Sequence, residues 1–371
     1  MKKLINLIFI MVIGGQLFSQ EDPCWNNFRG DQALTGISTF TIPDDPDIIW
    51  IFKTGDEVKA SPVVCGDRII IGSTDGYAYC LNFSGKLQWK FNTENAIEAP
   101  ALIVKDRVYV GNMDGSLFCF NLNTGEHYWT YEADNQISGS PNYWWIEDRL
   151  YIMVGSYDYY LHCVDGYSGT MIWKYEADNF INGAPACRDG KAVFGGCDGL
   201  LHIVDIRTGE SVDRIEVATY VAGSAALYGN SAFVGDYDGK FSCIDIKKKE
   251  IKWQWESKEG MLPFIASPSV DGKRVIIGNR DKWVYCFDTF SGQMQWKYNS
   301  GGRIEASALV AENKVIVPTM IGDIIILSTK DGKELWTYEL GAPLYSNPAL
   351  SNGFFVIGSA DGTIYCFGQD N

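Results

Sequence analysis

Residues 119–129 read CFNLNTGEHYW, and the same arrangement of residue types returns as CVDGYSGTMIW at 163–173, CIDIKKKEIKW at 243–253 and CFDTFSGQMQW at 286–296. A phrase repeated at fixed offsets is a building unit before it is an active site, so its period comes first. Trp50, Trp89, Trp129, Trp173, Trp253, Trp296 and Trp336 mark that period. Asp213 stands at the vacant place between the fourth and fifth marks, and neighbouring marks lie 39 to 44 residues apart. Eight repeats follow.

Inside each repeat the apolar period is two, which strands require. Over 99–131, APALIV begins one strand, RVYVG makes a second, SLFCFN a third and HYWTY a fourth. Asp-Gly recurs at the first hairpin turn, as in Asp75-Gly76, Asp114-Gly115 and Asp198-Gly199. Ser/Thr-Gly recurs at the second, as in Ser84-Gly85 and Thr124-Gly125. Such turns need positive φ, which Gly and Asp tolerate. A four-stranded antiparallel sheet cannot bury both faces alone, whereas sheets stacked around an axis bury each face on a neighbour. The last repeat ends at Asn371 without its tryptophan strand, and DIIWIF at 47–52 is a tryptophan strand with no repeat before it. The expectation is all-β: an eight-bladed β-propeller over 47–371, its ring closed by the N-terminal strand pairing in the C-terminal blade. The tryptophans then read as joints between blades, each packing on the glycine of an adjoining turn.

Residues 1–20, MKKLINLIFIMVIGGQLFSQ, carry two lysines, an apolar stretch and a small or polar end, the pattern of a secretory signal peptide too short for a stable membrane span. Residues 21–46 form an entry segment before the ring. The formal net charge of −15 disfavours nucleic acid and anionic lipid as partners. Cys80, Cys119, Cys163, Cys243, Cys286 and Cys366 share one repeat slot, hence separate sheets, and read as small buried residues. Cys24, Cys65, Cys187 and Cys197 fall outside that slot, and a disulfide among them stays open.

The phrase Ala-x-Asp-x-x-Thr-Gly-x-x-x-Trp is the tryptophan-docking repeat of the pyrroloquinoline-quinone-like repeat family. CFNLNTGEHYW resembles it, with Cys119 for Ala and Asn121 for Asp. IVDIRTGESVD (203–213) keeps Asp205, Thr208 and Gly209 without the tryptophan, so that joint should pack differently. CWNNFRGDQALTG (24–36) is similar to the entry segment of secreted members. The resemblance implies the fold, and it points to two kinds of function. Dehydrogenases of the family hold quinone and calcium over the axis, often beside adjacent cysteines and under large loops, neither of which this sequence has. Scaffolds of outer-membrane assembly match its length and blade number but are lipoproteins. Here Glu21, Asp22 and Pro23 precede Cys24 where a lipidation signal needs Leu and small residues, so no lipid anchor is expected.

Candidate chemistry sits at the start of the inner strands: Lys59, Glu98, Ser138, Asn182, Ala222, Ile265, Glu305 and Tyr345 should ring the channel mouth. Among them Lys59, Glu98, Asn182, Glu305 and Tyr345 are the candidate ligand-binding residues, and Glu98, Asn182 and Glu305 offer oxygens of the kind calcium takes. His162 and His202 lie in equivalent places of adjacent repeats, where they could approach one another or simply pack. The longer steps carry NYWWIED (142–148) and SKEGMLPF (257–264). Tyr143, Trp144, Trp145, Met261, Leu262 and Phe264 are read there as loop residues that either bind a protein or cap blade ends. The reading is an exported, non-catalytic scaffold that acts as a single ring and binds envelope proteins. The alternative is a small quinoprotein or calcium-dependent binder using the axis.

Overall fold

Alternating apolar residues and glycine-bearing turns fold each repeat into one sheet of hydrogen-bonded antiparallel neighbours. Blade 1 runs Val63–Cys65, Arg68–Gly72, Tyr77–Leu81 and Leu87–Asn92 from the axis outward. The computed structural model describes residues 24–217, 219–257 and 262–369, so the leader expected over 1–20 and Met261 lie outside the described residues. Eight sheets form the ring. In blade 8, Ala349–Ser351, Phe354–Gly358 and Thr363–Gly368 are completed by Asp47–Lys53, with Trp50 opposite Cys366 and Ile51 opposite Tyr365. The expected closure is what the chain does. It joins the first strand of the ring to the last, so that blade 8 cannot separate without breaking that pairing.

The shared cysteine slot has a structural cause. Cys80, Cys119, Cys163, Cys243, Cys286 and Cys366 stand across the strand pair from Trp89, Trp129, Trp173, Trp253, Trp296 and Trp50. A register shift lies beside each of these pairs in the outer strand. The small thiol lets the indole turn toward the next blade. There it lies over a turn glycine: a Cβ on Gly125 would stand 2.7 Å from the Trp89 ring. The indole N–H of Trp89 donates to the Leu122 carbonyl at 2.9 Å, and those of Trp50, Trp173, Trp253 and Trp296 make the same bond one joint on. Trp129 has no such acceptor, because the Tyr109 hydroxyl donates to the equivalent Gly166 carbonyl at 2.9 Å.

The joint without a tryptophan is rebuilt as an ion pair. Asp213 faces the turn of blade 5, where Lys249 replaces the usual glycine at φ 64 and sets its Nζ 2.5 Å from Asp213 Oδ2. Loss of the indole and loss of the glycine are therefore one change seen on two blades. An indole needs the space that only a glycine leaves, whereas a carboxylate reaches a lysine across it.

The segment before the ring is part of the core. The Val64 N–H donates to the Trp25 carbonyl, Ile103 to Asn26, Cys187 to Gln32, Leu227 to Ala33, Val270 to Thr35 and Val310 to Gly36. Each donor belongs to the inner strand of a different blade. Residues 24–36 thus wind around the axis, visiting blades 1, 2, 4, 5, 6 and 7 in turn. In blade 3 the contact is made by side chains, Asn27 donating to Asn142 Oδ1 at 2.8 Å. Ile37–Ser38 then adds a parallel fifth strand to blade 7. Arg29 is buried at the centre of this plug, donating to the Ala308 carbonyl at 2.5 Å, the Pro268 carbonyl at 3.1 Å and Ser269 Oγ at 2.6 Å. Burial pushes its pKa down to about 9, against the pull of Asp31. The open question about the cysteines is answered at the same place: Cys24 and Cys65 form a disulfide between the plug and blade 1, their Cα atoms 4.6 Å apart, while Cys187 and Cys197 are free.

Candidate functional site

All eight residues of the expected ring line one axial cup of about 230 Å³, and Phe28 of the plug contributes to its wall. The eightfold register is held by a repeated backbone bond. The residue that opens each first turn, from Thr74 through Cys197 and Arg280 to Ala360, donates its N–H to the loop by which the chain enters that same blade from the one before. Below the ring runs a belt of side-chain acceptors. Ala184 N–H donates to Ser224 Oγ, Ser224 to Ser267, Ser267 to Ser307, Ser307 to Asn347 and Asn347 to Ser61. The belt stops where Pro100 and Ala184 occupy the acceptor position, since neither side chain can accept. One sector of the cup, over blades 1 to 4, is therefore less tied than the rest.

Lys59 Nζ lies 2.9 Å from Glu98 Oε1 and 3.3 Å from Glu57 Oε2, and its pKa is raised chiefly by the hydrogen bond to Glu98. Glu305 Oε1 accepts from Arg280 Nε at 2.8 Å. Burial works against the Arg280 charge, but Glu305 outweighs it and raises the pKa. Asn182 donates through Nδ2 to Cys197 Sγ at 3.0 Å, while its buried Oδ1 has no partner. Tyr345 is 37% exposed, with Lys59 Nζ 5.9 Å from its ring centroid.

These contacts bear on calcium. Glu98, Asn182 and Glu305 sit on blades 2, 4 and 7, and both carboxylates already face cations. Among the described residues no group of three His, Cys, Asp or Glu is placed to hold a metal ion. Six to eight converging oxygens are what calcium takes, and this ring does not supply them. Arg280 and Cys197 are functional neighbours that spacing did not single out. Their signal was available in the variable residue preceding the aspartate of each first turn, which the same period aligns.

The long-step aromatics are placed differently from the expectation. Tyr143, Trp144 and Trp145 are not loop residues: they extend the inner strand of blade 3 to Asn142–Ile146, five residues where blade 2 has three, Leu102–Val104. The extension pairs Tyr143 with Ile152 and Trp145 with Leu150, and strand pairing is what the aromatic and β-branched run Tyr-Trp-Trp-Ile favours. Phe264 is not a surface residue either. It is fully buried, filling the slot that isoleucine takes at Ile97, Ile137 and Ile304; a Cβ on Gly235 would stand 2.3 Å from Phe264 Cβ, as one on Gly111 would stand 2.4 Å from Ile137 Cγ2. Leu262 is exposed. On the side of the ring where first and second strands turn, Tyr143 and Trp145 line a groove of about 740 Å³. Cys24, Cys65, Arg68 and Lys105 share it. Lys105 Nζ lies 4.3 Å from the Trp145 ring centroid, and Arg107 stacks on Tyr128 and Tyr167 at 4.3 and 4.8 Å.

The histidines are held in separate triads. His162 takes Asp158 at 2.9 Å and the Tyr131 hydroxyl at 2.9 Å; His202 takes Asp198 at 2.8 Å and the Tyr175 hydroxyl at 3.0 Å. Each links a turn to the blade before it, in the place where Tyr79 and Tyr285 bond Asp75 and Asp281. They pack rather than pair. Burial opposes ionisation of Asp158 and Asp198, but hydrogen bonds and charge from the imidazoles outweigh it and hold both carboxyls below their ordinary pKa. A depressed carboxyl contributes stability that is present above the unfolded pKa of about 3.9 and lost as pH falls through the folded value. Urea unfolding from pH 5 down to about pH 2 should therefore be steeper in pH for the native chain than for Asp158→Asn/Asp198→Asn.

A family model described as outer membrane protein assembly factor BamB matches residues 41–152, 197–350 and 280–371, more than half of the chain. The chain belongs to this family. The Shewanella oneidensis outer membrane protein assembly factor BamB is 24% identical over 136 residues, 33% of this chain and 34% of that protein. The matched stretch thus spans about a third of that relative's length. The crystal structure of BamB from Moraxella catarrhalis superposes with TM-score 0.72 at 19% identity, covering 88% of this chain and 98% of that one. A europium-containing methanol dehydrogenase superposes with TM-score 0.78 at 11% identity, covering 94% and 99%. These two likenesses are of fold. Among the described residues no helix is long and apolar enough to cross a membrane.

Proposed function

We propose that the protein is a non-catalytic scaffold of outer-membrane assembly, exported by the leader over 1–20, with 21–46 as its entry segment and 47–371 as its ring. Family membership supports the assembly role, and the observation that carries the site is the blade 3 extension. It breaks the eightfold repetition at one place and sets Tyr143 and Trp145 into a groove about 740 Å³ in volume. Rigid aromatics on a preformed wall are what hot spots of protein interfaces use. In a chain of net charge −15, Lys105 makes this rim locally cationic, so the partner segment should place an apolar side chain against Trp145 and a carboxylate at Lys105.

A photocrosslinker at position 145 tests this in cells. The expected product joins the protein to an outer-membrane assembly component. In purified form Trp145→Ala should weaken that complex about thirty-fold, the ~2 kcal/mol of a hot-spot residue. Crosslinks confined to small molecules, or full affinity in the variant, would sink the docking site. The alternative, a small quinoprotein or calcium-dependent axial binder, rests on the dehydrogenase-like fold. Titrating the mature chain with pyrroloquinoline quinone, with and without calcium, tests it separately, and saturable calcium-dependent binding would replace the scaffold reading. The paired carboxylates of the cup speak for the opposite result.

A further inference from the structure

We propose that the axial cup is a receptor for one sugar ring, either a free monosaccharide or the end residue of a glycan, on the face of the propeller where the inner strands begin. A cup of about 230 Å³ lies below the roughly 300–1,000 Å³ that drug-sized ligands occupy, which suits a single small ring.

The wall of the cup suits a neutral polyol. A neutral polyol needs donors and acceptors interleaved and no strong net field. Glu98 faces Lys59, and Glu305 faces Arg280, so neither carboxylate is left as a bare charge to attract a cation. Each nevertheless keeps acceptor capacity, because a carboxylate has about four lone-pair sites and its cation takes one or two. Asn182 Oδ1 is buried without a partner, a costly state for a polar atom that a turn of the side chain toward a ligand hydroxyl in the cup would relieve. It lies in the sector where Pro100 and Ala184 interrupt the belt.

Tyr345 supplies an aromatic platform. Four blades on from Asn182, and so across the axis from it, Tyr345 exposes its ring beside Lys59. An aromatic face opposite a cluster of hydrogen-bonding groups suits a sugar, whose ring has an apolar C–H face and a polar rim. Outside the cup's lining, in the loops that lead to Asn182 and Ala222, Tyr157 stacks on Phe180 at 4.8 Å and Tyr220 on Tyr237 at 4.3 Å between centroids.

The test is saturation-transfer NMR and calorimetry on the mature chain with glucose, galactose, mannose and N-acetylglucosamine, each to about 50 mM, which reaches millimolar dissociation constants. Saturable binding of at least one sugar is expected. Asn182→Ala and Tyr345→Ala should each weaken it about tenfold or more, with melting curves unchanged and with Trp145→Ala without effect. Glu98→Gln, which keeps shape while unpairing Lys59, should weaken it as well. Absence of saturable transfer from every sugar overturns the proposal. Binding that survives both Asn182→Ala and Tyr345→Ala does so too, since the sugar would then sit elsewhere. A partner's protein segment crosslinked into the cup at position 345 would assign the site to protein instead.

Discussion

Arg29→Met lowers the unfolding free energy by about 3–5 kcal/mol. The guanidinium is buried at 2% exposure and bonds Ala308, Pro268 and Ser269, at the start of the inner strands of blades 6 and 7. Methionine fills much of the volume but donates nothing, so the buried Pro268 carbonyl loses its partner, at ~1–3 kcal/mol, the Ala308 carbonyl keeps only the Ser269 hydroxyl at 2.7 Å, and the plug loses three charge-assisted hydrogen bonds to those blades. Urea unfolding of the purified chain measures it. A loss below about 1 kcal/mol would mean that the backbone bonds of residues 24–36 hold the plug without the side chain. Lysine should not rescue, since one ammonium cannot match the fork that reaches three acceptors on two blades.

The second large effect is loss of the Cys24–Cys65 disulfide. Its sequence separation is 41 residues, and cross-linking a loop of that length constrains the unfolded chain by about 4 kcal/mol in the chain-entropy picture. The loop spans the plug and the strand Asp47–Lys53 that closes blade 8, so its ends are tied where the ring begins and where the winding segment starts. Cys24→Ser/Cys65→Ser should therefore unfold at a lower urea midpoint with its cooperativity intact. Two separate transitions would show instead that the plug leaves before the ring opens.

Those two predictions concern the part of the chain least legible from its sequence. CWNNFRGDQALTG carries no period, so nothing in its spacing says that Trp25, Asn26, Gln32, Ala33, Thr35 and Gly36 each meet a different blade. The aromatics of blade 3 show a different limit. NYWWIED lengthens the repeat, and an insertion is read first as a loop; its run of aromatic and β-branched residues made a longer strand instead. Phe264 failed as a surface candidate for a related reason. Its loop is long, but the residue stands in phase with Ile304 and Ile137, and phase with the repeat outranks loop length when a side chain is assigned to the core.

Blade number, the closing strand, the tryptophan joints and the identity of the axial ring were all contained in the sequence. They rest on alternation, turn chemistry and spacing that operate within about forty residues and return in phase, so each copy corrects the reading of the others. The plug, the Asp213–Lys249 substitute joint, the Arg280–Glu305 pair and the unpartnered Asn182 oxygen came only from the folded chain. Arg29 and Ala308 stand 279 positions apart; such contacts are set by ring closure, which brings distant blades to one axis, and no local period carries them.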